Sequence, residues 1–356
     1  MSATPSRRTA ILKVDVSAPQ TDAIDQAARI IQAGGLVAFP TETVYGLGAN
    51  ALDAAAVDRI FAAKGRPSTD PIIVHLAAQE TLPQIAHEIP ERAWALAAAF
   101  WPGPLTLILQ RAAPVPENVS AGRPTIAVRM PSHLVAQALI TAAERPVAAP
   151  SANRFSRPSA TSAQHVIDDL DGRIDLILDG GPTPIGVEST VVDLTTEPPR
   201  ILRPGGISIE ALRPYLPDVQ WTPAYLTTDQ IAVAPGQMIR HYAPRAELLL
   251  FSGSMAAVRA AILDEAGRRS RQGARVGVLT TDEEAPLFAQ VIDDVIALGR
   301  ADDLERIAAG LFAAIRDLDG RGVDAILAHG FGQHGLGAAL WDRLLRAAEG
   351  RVIAAE

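Results

Sequence analysis

The chain has 356 residues, a formal net charge of −8, 48% hydrophobic and 20% charged residues, and no cysteine. That length exceeds one typical core and reads as about two domains, with the composition of a folded globular protein. Without cysteine there are no disulfides, thiolate zinc sites or thiol nucleophiles, and the acidity argues against a generally basic nucleic-acid-coating surface. The seven histidines show no His-Glu-x-x-His spacing, so no protein metal ligand is expected. Arg7 and Arg8 lead into no apolar core, because Lys13 and Asp15 interrupt it, and the apolar run 94–109 is broken by Pro102, Gly103 and Pro104. A cytoplasmic protein without a membrane span is expected.

From residue 20 to 213, short apolar runs alternate with helical patterns. Residues 36–39 read as a buried strand. Asp53 is placed to N-cap a helix with Ala56, Val57, Ile60 and Phe61 on one face, and Gly65 to C-cap it. Further strands are predicted at 71–76, 105–109, 125–129, 147–149, 174–178 and 189–194, with helices at 93–100, 134–143 and 163–170. Several connections are too short for a crossover helix, so some strands must run antiparallel. Residues 214–245 bring prolines and scattered aromatics without a sustained period, and read as an interdomain linker. Beyond it, strands at 247–251, 275–279, 295–298 and 323–328 alternate with helices at 255–269, 302–318 and 337–348. That order predicts a smaller, parallel, doubly wound Rossmann-like α/β domain over 246–356.

Lysine has nearly vanished from this chain: of 32 basic residues, only Lys13 and Lys64 are not arginine. Lys64 precedes Gly65 and Arg66, where a solvated helix-end cation is the bland reading and a phosphate contact the sharper one. Thr41, Thr43 and Tyr45 follow the strand 36–39, where open α/β sheets bind ligands. A turn explains Pro40, Gly46 and Gly48 but not three clustered hydroxyls. Arg129 and Arg203 close two other strands; each alone reads as a surface residue, but with Lys64 and Arg66 they suggest a polyanion pocket. Ser151 and Asn153 follow the strand 147–149, Ser156, Ser159, Thr161 and Ser162 come soon after, and Ser189 and Thr190 open another strand. No Ser-x-x-Lys or Gly-x-Ser-x-Gly accompanies them, so they read as hydrogen-bonding groups rather than nucleophiles. Catalysis by positioning and electrostatics, as in phosphoryl or nucleotidyl transfer, fits that set. Residues 330–335 spell Gly-x-Gly-x-x-Gly between a predicted strand and helix. So near the chain end, no following strand is expected to supply a ribose-binding acid, and no P-loop motif occurs.

Residues 39–50, 64–67, 71–76, 101–106, 125–131, 149–153, 186–193 and 201–207 resemble the motifs of the threonylcarbamoyl-AMP synthase family. The form resembled is the longer one, with a YrdC-type catalytic domain and a C-terminal domain. The run 235–244 resembles the family's interdomain segment, and 335–348, with Gly337, Asp342, Arg343 and Leu344, its terminal helix. The resemblance implies an α/β protein: a twisted mixed-sheet YrdC-like catalytic domain over 20–213, a linker or lid over 214–245, and the Rossmann-like domain over 246–356. It implies a nucleotidyl transfer in which L-threonine, bicarbonate and ATP give threonylcarbamoyl-AMP and pyrophosphate, for N6-threonylcarbamoyladenosine modification of tRNA.

By resemblance, Thr41, His75, Arg129 and Ser151 hold threonine, and Lys64 and Arg66 are catalytic. ATP, with Mg2+ on its phosphates, is held by Lys64, Ser68, Thr125, Ala149, Ser151, Asn153, Ser159, Ser189, Arg203 and Tyr242. The product would pass to a tRNA threonylcarbamoyl-transferase; direct tRNA binding stays open. Gln237, Met238 and Ile239 depart from the family's linker pattern, which leaves His241 and Tyr242 as the linker's site residues. Two other readings stand beside this one. An RNA-binding module without catalysis is disfavoured by the acidity and the 4% aromatic content. A hydrolase or carbamoyl-transfer relative sharing only the catalytic domain is disfavoured by the linker and the C-terminal domain.

Overall fold

The computed structural model describes residues 8–222 and 241–356. Among them, the N-terminal part builds one 12-stranded sheet. Its strands are β1 (Ala10–Lys13), β2 (Val37–Pro40), β3 (Tyr45–Asn50), β4 (Ile73–His75), β5 (Ala86–His87) and β6 (Leu105–Arg111). They continue with β7 (Thr125–Arg129), β8 (Val147–Ala148), β9 (Leu176–Asp179), β10 (Thr190–Asp193), β11 (Arg200–Arg203) and β12 (Gln220–Trp221). The helices are α1 (Thr21–Gln32), α2 (Ala54–Lys64), α3 (Glu91–Phe100), α4 (Leu134–Ala143), α5 (Ala163–Leu170) and α6 (Ile209–Leu212). The strand order is β1-β9-β2-β3-β8-β4-β7-β6-β10-β11-β12, with β5 on β6. Pairing is mixed: β2–β3, β6–β7 and β10–β11 are antiparallel, whereas β4–β7 and β6–β10 are parallel. The sheet therefore begins ten residues before the expected boundary at 20 and ends beyond the one at 213.

Local sequence explains the helices that frame the cleft. Asp53 caps α2, accepting from Ala55 N and Ala56 N, and Gly65 ends it at φ 65°, a backbone region that glycine enters without a Cβ penalty. In α1 the buried positions Ile24, Ala27, Ala28 and Ile31 form one stripe that meets Val135, Leu139 and Ile140 of α4 in a shared cluster. The strand β3 departs from the sequence reading, which took Gly46 and Gly48 as turn glycines. Both lie within the strand, because the ring of Phe39 covers them. A methyl on Gly48 would lie 2.7 Å from Phe39 Cε1 and 2.9 Å from Val147 Cγ1.

The C-terminal part is a second, 5-stranded sheet of order β15-β14-β16-β13-β17. It comprises β13 (Glu247–Ser252), α7 (Met255–Arg271), β14 (Val276–Thr280), α8 (Ala285–Phe288) and β15 (Asp294–Ala297). Then come α9 (Leu304–Gly320), β16 (Ala325–His329), α10 (Leu336–Ala347) and β17 (Val352–Ala354). Every pairing is parallel, as the alternating βα order predicts. The strand β17 corrects the expectation that no further strand follows the Gly-x-Gly-x-x-Gly loop. It carries only Val352, Ile353 and Ala354, so it brings no ribose-binding acid.

The two sheets share a core. Val44 and Val187 of the N-terminal part are buried in one cluster with Ile307, Leu311, Phe312 and Ile315 of α9. Fully burying an aliphatic side chain of this size contributes about 1.5–3 kcal/mol. Gly186, at φ 77°, lies so close to α9 that a Cβ would come within 2.3 Å of Ala308 O. Buried ion pairs cross the same interface, Arg316 to Asp169 at 2.7 Å and Arg157 to Asp319 at 3.2 Å.

Candidate active site

Strand register builds the floor of one cleft. His75 pairs with Arg129, Arg129 with Thr106, Thr106 with Val191, and Val191 with Arg203. Side chains directly opposite in paired strands share a face, so this row spans β4, β7, β6, β10 and β11 on one side of the sheet. Arg129 and Arg203 are three strands apart, about 14 Å at ordinary strand spacing. Over the row close the 41–44 loop, the 149–151 segment, the turn before β10, and His241 with Tyr242.

At the Arg129 end the N-terminal part supplies the partners of the guanidinium. Thr41 Oγ1 donates to Val44 O at 2.6 Å and accepts from Val44 N at 3.3 Å, which folds the 41–44 loop. Arg129 donates through Nε to Gly103 O at 3.2 Å and through Nη1 to Thr43 Oγ1 at 2.9 Å. Its Nη2 meets Glu42 Oε1 at 2.7 Å. The fork is thus aimed before any ligand arrives. His75 is buried beside it, and its Nδ1 has no hydrogen-bond partner among the described residues. Burial and the Arg129 charge push its pKa down to about 3, so the ring is neutral.

Toward the other end, cations gather. Arg66 pairs with Asp70 at 3.0 Å and donates to Pro71 O at 2.5 Å. Arg203 donates to Ser189 O at 3.0 Å and to Ser189 Oγ at 3.1 Å. Ser189 Oγ in turn lies 2.8 Å from Thr106 Oγ1. Glu188 lies beside Arg203 and Arg343 and receives the Ser159 hydroxyl. Burial raises the Glu188 carboxyl, but Arg343, Arg203 and Ser159 more than reverse that, so it ionises below its ordinary range. Tyr242 adopts φ 63°, and among the described residues neither its buried hydroxyl nor His241 Nδ1 has a hydrogen-bond partner. Burial, then Arg66, Arg346, Lys64 and Arg203, hold His241 well below its ordinary pKa.

The sequence-predicted residues divide into two groups. Thr41, Arg66, His75, Arg129, Ala149, Ser151, Ser189, Arg203 and Tyr242 all line the cleft. Lys64 lies underneath, fully buried, with Nζ donating to Ser151 O and to Asn153 O, the latter at 2.6 Å. Asn153 in turn holds Arg154 O and Arg157 O through Nδ2. Ser159 stands behind Glu188. Ser68 is exposed in the 66–70 turn, and Thr125 opens β7 at the end opposite Arg129. Tyr45, one of the three clustered hydroxyls, is committed elsewhere: it donates to Gly181 O at 2.7 Å and closes the 180–181 turn. Glu42 and Glu188 went unread, because acids inside a polyanion site follow no spacing rule. The run 235–240 of the expected lid lies outside the described residues.

Comparisons with known proteins fit this geometry. A family model covering Sua5, YciO and YrdC proteins, described as telomere recombination, matches residues 29–205. A second, described as threonylcarbamoyl-AMP synthase, C-terminal domain, matches residues 207–349. The threonylcarbamoyl-AMP synthase of Pyrococcus abyssi is 49% identical over 92% of this chain and 94% of its own length. That of Bacillus subtilis is 45% identical over 93% and 94%. A crystal structure of Pyrococcus abyssi Sua5 complexed with L-threonine superposes with a TM-score of 0.92 at 47% identity, covering 98% of this chain and 100% of that one. The chain belongs to the threonylcarbamoyl-AMP synthase family, in its form with a C-terminal domain. No helix among the described residues is long and apolar enough to cross a membrane.

Proposed function

We propose that this chain is a nucleotidyltransferase that converts L-threonine, bicarbonate and ATP into L-threonylcarbamoyladenylate and pyrophosphate. The observation that carries the reading is the cross-strand row, with one prepared guanidinium at each end of a cleft about 14 Å apart. That span suits an amino acid joined through a carbamate to an adenylate. Arg129 receives the threonine carboxylate, with Thr41, His75 and Ser151 around the rest of it. The neutral imidazole of His75 can hydrogen-bond a substrate group without adding charge. Arg66 and Arg203 hold the phosphates, and Lys64 acts through the 151–153 carbonyls that it gathers.

Bicarbonate loses hydroxide to give CO2, the threonine amine bonds to the CO2 carbon to form a carbamate, and the proton that the amine releases joins the hydroxide as water. A carbamate oxygen then bonds to the α-phosphorus as the bond to the bridging oxygen breaks, and pyrophosphate leaves. The cations offset the charge developing on the phosphates, and no enzyme-bound intermediate is needed. The described residues contain no cluster of three His, Asp or Glu that could cage a metal. Magnesium in this reading enters as part of the nucleotide substrate. The domain division we propose is 20–213, 214–245 and 246–356, with β1 and β12 added to the catalytic sheet. The product is destined for a transferase that modifies tRNA adenosine. Pyrophosphate release, measured with each amino acid and with or without bicarbonate, tests the reading. Threonine- and bicarbonate-dependent release is expected, and release of orthophosphate, or indifference to threonine, would reject it.

A further inference from the structure

The C-terminal sheet reaches the phosphate-end wall of the cleft through Arg343. Arg343, on α10, is fully buried, as is Arg346 one turn later. A buried guanidinium is stable only if its donors are matched, and here each nitrogen has an acceptor. Nε donates to Glu188 Oε2 at 2.7 Å and Nη2 to Pro204 O at 3.0 Å. Nη1 donates to Asp342 Oδ2 at 2.6 Å, and Arg346 holds Asp342 from the other side at 3.1 Å. The guanidinium also lies 5.4 Å from the centre of the Tyr242 ring.

The acceptors belong to the cleft's phosphate-end wall. Glu188 precedes Ser189 and receives the Ser159 hydroxyl, and Pro204 follows Arg203. One planar fork therefore ties the segment that carries Ser189 to the end of β11, which carries Arg203. The fork reaches the two acceptors from two separate nitrogens in one plane, a span that a single ammonium nitrogen does not reproduce. None of these contacts extends to the Arg129 end. We propose that Arg343 is a positioning residue for the nucleotide half of the cleft, acting through Glu188 and the Pro204 carbonyl, and that this is how the C-terminal sheet takes part in the reaction. The inference rests on the synthase reading for the identity of the nucleotide.

Calorimetric titration of ATP and, separately, of L-threonine onto the full-length chain tests it. Arg343→Met and Arg343→Lys should each weaken ATP about tenfold or more, the loss typical of a charge-assisted hydrogen bond, and leave threonine within about twofold. Glu188→Gln should do the same, and Arg343→Met combined with Glu188→Gln should be no worse than the worse single variant, because the two act as one unit. Arg157→Met, which cuts an ion pair across the same interface without touching Glu188, should bind both ligands as wild type does. Thermal melts establish that each variant is folded; Arg343→Lys keeps the charge should Arg343→Met fail to fold. Unchanged ATP affinity in the Arg343 variants, an equal loss for both ligands, or additive effects would overturn the positioning role while wild-type turnover stood. Wild-type protein without threonine-dependent pyrophosphate release would instead overturn the synthase reading, and this inference with it.

Discussion

The two ends of the cleft are built differently. At Arg129, the acceptors Gly103 O, Thr43 Oγ1 and Glu42 Oε1 all come from the same sheet domain that carries the arginine. At Arg203, the turn beneath the guanidinium is held by Arg343 from the second sheet, and Tyr242 is wedged between Phe312 and Arg343. The guanidinium anchor of the amino-acid end is built within one sheet domain, whereas that of the nucleotide end is shared between two. A rigid carboxylate anchor can thus stay formed while the phosphate wall depends on how the two sheets are docked. Damage that reaches Glu188 or the Pro204 carbonyl should therefore be read more strongly by ATP than by threonine.

The strongest test of that contrast removes the anchor. Arg129→Met alone would strand Glu42 as a buried unpaired acid, at a cost of about 3–5 kcal/mol of stability. The double change Arg129→Met with Glu42→Gln avoids it. That variant should fold near wild-type stability and lose threonine affinity on the order of a hundredfold, with ATP affinity held within about threefold. Equal loss of both ligands would show that the two ends are not separable.

Lys64→Arg comes next, with kcat/KM expected to fall about tenfold or more, because a fork cannot replace a point donor that gathers two carbonyls in a sealed space. Lys13→Arg, on the exposed edge strand, should be silent. Matching activities would return Lys64 to the role of a helix-end cation.

Gly186→Ala probes the docking directly. The left-handed backbone and the 2.3 Å approach to Ala308 O require the two sheets to move apart. We expect a stability loss of about 2–3 kcal/mol by chemical denaturation. A several-fold weaker ATP affinity should accompany it, with a smaller change in threonine affinity through the 3.1 Å bond from Gly186 N to Thr43 O. A larger loss on the threonine side than on the ATP side would break the contrast.

The legibility of this molecule in its sequence follows the same division. Strand-end arginines, the Asp53 and Gly65 caps and the alternating βα order of the second half are local patterns, and each was readable. The row from His75 to Arg203 depends on which strands are neighbours, a long-range property that no local period encodes. Tyr45 was misread for this reason: its hydroxyl partner is Gly181, 136 residues away. Gly48 was misread because its requirement comes from the Phe39 ring, not from a turn. Arg343 stood in the quoted terminal-helix motif, but only the fold reveals that its partner is Glu188.

The smallest effect concerns pH at the Arg129 end. His75, with a pKa of about 3 in the folded chain, stays neutral through the range in which an ordinary histidine titrates. The unfolded chain binds that proton near pH 6.5 and the folded chain does not. Stability from this group is thus complete above about pH 6.5 and declines as pH falls toward 3, by about 1.4 kcal/mol per pH unit at most. His75→Gln should remove one proton's worth of that slope in denaturant titrations between pH 6 and 4, where the buried His165 and His241 contribute with the same sign. Threonine affinity, in contrast, should show no step assignable to His75 between about pH 5 and 8. A step near pH 6.5 that disappears in His75→Gln would mean that the ring is charged in the free enzyme, and that Arg129 does not face a neutral partner.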